Sequence, residues 1–89
     1  MEIVSSVPAG VFKSRNFMTP HSLALYKGNY QGKVIYAELS EGKFLETYMW
    51  GVTVRDAEGN HVYDKDGVTL SKCCFSRAEA DEHINSLEG

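Results

Sequence analysis

Apolar and polar residues alternate along most of this chain with the two-residue period of a β-strand, and the spacing turns helical only near its end. From Ser22 to Lys27, Leu23 and Leu25 share one face while Ala24 and Tyr26 share the other. From Lys33 to Leu39, Ile35, Ala37 and Leu39 oppose Val34 and Tyr36. The Gly/Asn-rich residues 28–32 between them predict a hairpin connection, and Ser40-Glu41-Gly42 predicts a further turn. The strongest strand signal runs from Phe44 to Asp56, with Phe44, Tyr48, Trp50, Val52 and Val54 apolar at even positions. That run exceeds the usual strand length of about 5–6 residues, so Gly51 is the expected place for a bulge.

Two turns of the form Asp-x-x-Gly follow, Asp56 to Gly59 and Asp64 to Gly67. In each, the Asp side chain can accept from the turn backbone and the Gly tolerates positive φ. His61-Val62-Tyr63 between them suits only a brief strand, and Val68 to Phe75 predicts a longer one. Ser76-Arg77-Ala78-Glu79 has the form of a capping box, with Phe75 and Ala80 placed for a hydrophobic staple. Ala80, His83, Ile84 and Leu87 then recur on one helical face, and Glu79, Asp81 and Glu82 load the early turns with the charge that the helix dipole favours. A helix over 76–88 is too short to stand alone and must dock on the sheet. Residues 1–21 are the hardest to read, with short strands at Ile3-Val4 and Val11-Phe12 around Pro8-Ala9-Gly10 and then a loop. The expected fold is α+β: one domain over 1–89, an antiparallel sheet of about four to six strands, and one C-terminal helix packed on a face.

Composition narrows the class. The chain has 89 residues, is 43% hydrophobic and carries a net charge of −3, which argues for a folded domain rather than disorder. Residues 1–45 carry a net +2 and residues 46–89 a net −5. This mild division lacks the basic stripe of a general nucleic-acid binder and suits an acidic surface meeting a basic partner. The cysteines, Cys73 and Cys74, are neighbours whose side chains would point to opposite faces of a strand, so a disulfide framework is not expected. Met1-Glu2 lacks a basic leader region, and no apolar run reaches the roughly 18 residues of a membrane span. A cytoplasmic protein without membrane association is expected.

Candidate chemistry is sparse. His21, His61 and His83 fall on separate elements with no paired ligand spacing, so neither a metal nor any other cofactor is expected. The Cys73-Cys74 pair, flanked by Lys72 and Arg77 and close to a helix start, could support thiol or metal chemistry if a thiolate were stabilised there. Buried Cys more often behaves as a small hydrophobe. The acidic residues Asp56, Glu58, Asn60, Asp64 and Asp66 do not fit a calcium-loop template, and turn chemistry explains them. Lys13, Arg15, Phe17, Tyr30 and Lys33 interleave basic and aromatic groups as single-strand binders do. Neither a nucleophile elbow nor a phosphate loop is present, and a non-enzymatic role is expected.

The leading expectation is a small protein-binding module or inhibitor of the bacterial or phage accessory type. It would act through a sheet face, an edge strand or the acidic C-terminal half, on another protein or on a second copy of itself as a homodimer. If the even face of the Phe44–Asp56 run lies under the helix, the odd positions Leu45, Thr47, Met49, Thr53 and Arg55 become the candidate interface. Single-stranded nucleic-acid binding through the N-terminal basic and aromatic segment is the second reading, and chemistry at Cys73 and Cys74 the third.

Overall fold

The computed structural model describes residues 1–6 and 21–87. They form an antiparallel sheet of five strands and one C-terminal helix, an α+β arrangement. The strands are β1 (Glu2–Ser6), β2 (His21–Tyr30), β3 (Lys33–Phe44), β4 (Thr47–Asp56) and β5 (Lys72–Cys74), and the helix is α1 (Arg77–Ser86). Spatial order follows chain order, β1-β2-β3-β4-β5, so consecutive strands pair as neighbours. The expected strand at Val11-Phe12 and the residues Lys13, Arg15 and Phe17 lie outside the described residues.

Turn chemistry sets the register. Between β2 and β3 only Gln31 and Gly32 remain unpaired, both at positive φ (50° and 80°), as a hairpin turn matched to strand twist requires. The connection is therefore shorter than the Gly/Asn content suggests, and Gly28 and Asn29 pair within β2. β3 does not turn at Ser40-Glu41-Gly42. It continues in register to Phe44, opposite Thr47, and the turn is Leu45-Glu46. These three turn-like residues are buried in the sheet, where Gly51 stands opposite Ser40 and Trp50 opposite Glu41. Nor does Gly51 bulge, because β3 and β4 pair without a shift from Ile35–Asp56 to Phe44–Thr47. The irregularities fall instead at Ile3/Ser5 in β1 and Ser22/Ala24 in β2.

The connection from β4 to β5 is built from the two Asp turns. Asp56 Oδ1 accepts from the backbone N–H groups of Glu58 and Asn60 at 3.0 and 2.9 Å. Asp64 Oδ1 accepts from Asp66 and Val68 at 2.8 and 3.0 Å. Gly59 and Gly67 close these turns at φ 86° and 79°. The excursion returns Val62 and Leu70 to the core, joined by a 2.9 Å backbone hydrogen bond. The strand expected over Val68 to Phe75 shrinks to Lys72–Cys74, because the second turn holds Val68 and only Thr69 bridges back to Tyr63.

Ser76 caps α1, its Oγ accepting from Glu79 N–H at 3.1 Å. The Glu79 carboxylate accepts from Phe75 N–H rather than from Ser76, one residue earlier than a standard capping box. Phe75 is 68% exposed and forms no staple. Ala80, Ile84 and Leu87 bury their stripe with Ile35, Ala37, Leu39, Val52 and Val54, as α1 packs against β4 and β5. His83 completes the stripe through its ring, Nε2 donating to the Leu70 carbonyl at 2.6 Å.

Candidate functional site

Strand pleating gives the sheet two chemically different faces. On the helix side, the even positions of β4 stand level with the odd positions of β3: Val54 opposite Ala37, Val52 opposite Leu39 and Trp50 opposite Glu41. On the other side, the odd positions of β4 stand level with the even positions of β3. Arg55 faces Tyr36, Thr53 faces Glu38, Gly51 faces Ser40 and Met49 faces Gly42.

The even face of β4 thus lies inward as expected, fully so at Val52 and Val54. The structure brings Thr47, Met49, Thr53 and Arg55 together on the outward face, with Met49 and Thr53 half-buried and Thr47 and Arg55 exposed. Leu45 belongs to the β3–β4 turn at φ 56° and is 81% exposed, so it marks the end of this face rather than a row within it. Phe44 beside it is also exposed. The absence of a side chain at Gly51 leaves a shallow open groove of about 340 Å³, flanked by Ser40, Thr53, Ser71, Lys72 and Cys73. Arg55 is tied to the first Asp turn by donating to the Gly59 carbonyl at 3.2 Å.

The other candidates are dispersed. Tyr30 and Lys33 are cross-strand partners at the β2–β3 turn, but Tyr30 packs on the core and Lys33 lies 3.9 Å from the Asp56 carboxylate. Cys73 and Cys74 point apart as their adjacency predicts, Cys73 exposed and Cys74 buried, both free thiols. Burial pushes the Cys74 thiol up, and the Glu79 carboxylate adds to the effect against the opposing pull of Lys72. That environment is the opposite of one that activates a thiolate. Among the described residues, no group of three His, Cys, Asp or Glu side chains could hold a metal ion. No described helix is long and apolar enough to cross a membrane.

Sequence reasoning missed one group. Glu41 is 3% exposed, and its Oε1 accepts no hydrogen bond. Its neighbours on the helix-side face are Trp50 on β4 and His21 on β2, each directly opposite it. Tyr48 is next along β4, its ring 5.1 Å from that of Trp50 in an edge-on contact at 73°. The Tyr48 phenol is pushed up to about 12, first by burial and then by the hydrogen bond and charge of Glu41. The signal was present in the alternation: Ile35, Ala37 and Leu39 put residue 41 in phase with the core.

Compared with known proteins, the chain matches no family model, no curated protein and no solved structure.

Proposed function

We propose that this chain is a small, non-enzymatic protein-binding module, an inhibitor or accessory factor of the bacterial or phage kind working in the cytoplasm. Its partner is another protein, engaged by the sheet face opposite α1. One observation carries this reading. The helix packs against one side of β4 and β5, while Met49, Thr53 and the groove at Gly51 lie on the other side with few charges among them. Surfaces of this mixed apolar and small polar kind, rimmed by charge, are what protein partners cover. Arg55 and Glu38 supply such a rim, and Phe44 with Leu45 adds exposed apolar area at one end.

The test is affinity capture with the tagged full chain from lysate of the source cell, with and without nuclease treatment, at low and high salt. Wild type should retain a protein near stoichiometry, and Met49→Asp should lose it while still unfolding cooperatively. Equal capture by Met49→Asp would remove this face as the binding surface. Recovery of nuclease-sensitive material alone would favour the single-strand reading, in which Tyr30 and Lys33 act with the basic N-terminal segment.

A further inference from the structure

We infer that the cavity between α1 and β5 binds a free α-amino acid by its main-chain charges, the carboxylate at Lys72 and the ammonium group at Glu82 and Glu79. The site lies on the helix-side face and does not depend on the binding surface proposed above. It is a cavity of about 290 Å³ lined by Lys72, Glu79, Glu82, His83 and Ser86. Ligand pockets span about 300–1,000 Å³, so this one suits a small molecule rather than a polypeptide segment. The helical period puts its α1 residues on one face, with Glu79, Glu82, His83 and Ser86 at i, i+3, i+4 and i+7. Lys72 meets that face from β5, where it pairs with Val52 on the helix side of the sheet.

Opposite charges line this cavity without closing on one another. Among the described residues, neither the Lys72 ammonium nor the Glu82 carboxylate has an ion-pair or hydrogen-bond partner. The arginine of α1, Arg77, pairs instead with Asp81 at 3.3 Å. Glu79 is anchored, its carboxylate accepting from Phe75 N–H at 3.0 Å. Glu79 and Lys72 act on the Cys74 thiol in opposite directions, which places the two signs within reach of one buried group. His83 donates Nε2–H to the Leu70 carbonyl at 2.6 Å, so Nδ1 of the neutral ring remains an acceptor. The Ser86 hydroxyl donates to the His83 carbonyl at 2.7 Å and keeps its lone pairs for another donor. Two carboxylates beside these acceptors suit a group with several N–H donors, and the one ammonium suits a single carboxylate. Among the described residues no aromatic ring lines the cavity, as a quaternary ammonium would need. An α-amino acid carries both complementary charges at once and gives Lys72 and Glu82 the partners they lack.

The test follows the amide signals of Glu82, His83 and Ser86 in ¹⁵N-labelled full-length protein at about pH 7, where α-amine and carboxylate are both charged. The probes are L-alanine with both charges, L-alaninamide with the ammonium alone, and N-acetyl-L-alanine with the carboxylate alone. L-Alanine should give a saturable shift in the millimolar range, and each one-charge analogue should bind at least about tenfold more weakly. Lys72→Met should reduce alanine binding to the level of alaninamide and leave alaninamide unchanged. Glu82→Gln should reduce it to the level of N-acetylalanine and leave N-acetylalanine unchanged. Both positions are exposed, so both variants should fold. Met49→Asp should leave the alanine response intact, which separates this site from the opposite sheet face. A one-charge analogue binding as tightly as alanine, full alanine binding in Lys72→Met or Glu82→Gln, or no saturable shift up to about 100 mM alanine would each overturn the assignment.

Discussion

Leu45 holds a left-handed backbone conformation, φ 56°, at an 81% exposed position of the β3–β4 turn. A side chain there costs about 1–2 kcal/mol, and so exposed a Leu recovers little of it by packing. Part of that cost returns with glycine, whose unfolded chain is more flexible. Leu45→Gly should therefore raise unfolding stability, by about 1 kcal/mol or less in urea titration, while weakening partner capture. Strain kept at an exposed apolar residue is what a contact residue would show. Shifted titrations, those of Tyr48 and Asp56 besides the raised Cys74 thiol, also bear on the pH range of stability. The Tyr48 phenol is raised from 10.0 to about 12, so its contribution is fully present below pH 10 and is lost as pH rises through about 12. Asp56 is lowered, chiefly by the backbone hydrogen bond from Asn60, so its contribution is present above the ordinary carboxylate range and is lost as pH falls below it. Urea unfolding from about pH 9 to about pH 12 should show a smaller alkaline loss in Tyr48→Phe than in wild type. An identical loss would place the Tyr48 hydroxyl outside the folded-state balance.

The elements differ in how openly the sequence declares them. α1 is legible almost to the residue, because its cap and its Ala80–Ile84–Leu87 stripe are both local signals. Ser76→Ala should cost about 1 kcal/mol in thermal unfolding by freeing the Glu79 N–H. The paired Asp turns were equally plain, since each Asp meets donors two and four residues ahead. β3 was not. Ser40, Glu41 and Gly42 carry turn composition, and only pairing with Gly51, Trp50 and Met49 makes them strand. The same tertiary override shortened the Val68–Phe75 strand, which the second Asp turn holds away from β4. It also dissolved the supposed bulge: Gly51 is accommodated flat between Ser40 and Cys73, and its missing side chain makes the groove. The candidate site was half legible. Alternation put Leu45, Thr47, Met49, Thr53 and Arg55 on one face; the last four share it, whereas Leu45 falls in the β3–β4 turn, because its position depends on where β3 ends.

At the scale of the whole molecule, the core lies between the sheet and α1, and among the described residues no helix packs on the opposite face. This division predicts different penalties for changes on the two sides. Ile84 is 2% exposed in the helix stripe, and Ile84→Ala should cost about 2–5 kcal/mol of stability. Thr53 lies at the centre of the open face with Glu38 directly opposite, so an added Asp would face a like charge while Lys would complement it. Thr53→Lys is therefore the cleaner probe of whether this face is core or surface. Its unfolding free energy in urea should fall within about 0.5 kcal/mol of wild type, as for an exposed position. A loss of about 2 kcal/mol or more, comparable to Ile84→Ala, would mean that the face is packed core and would contradict its proposed role as a binding surface.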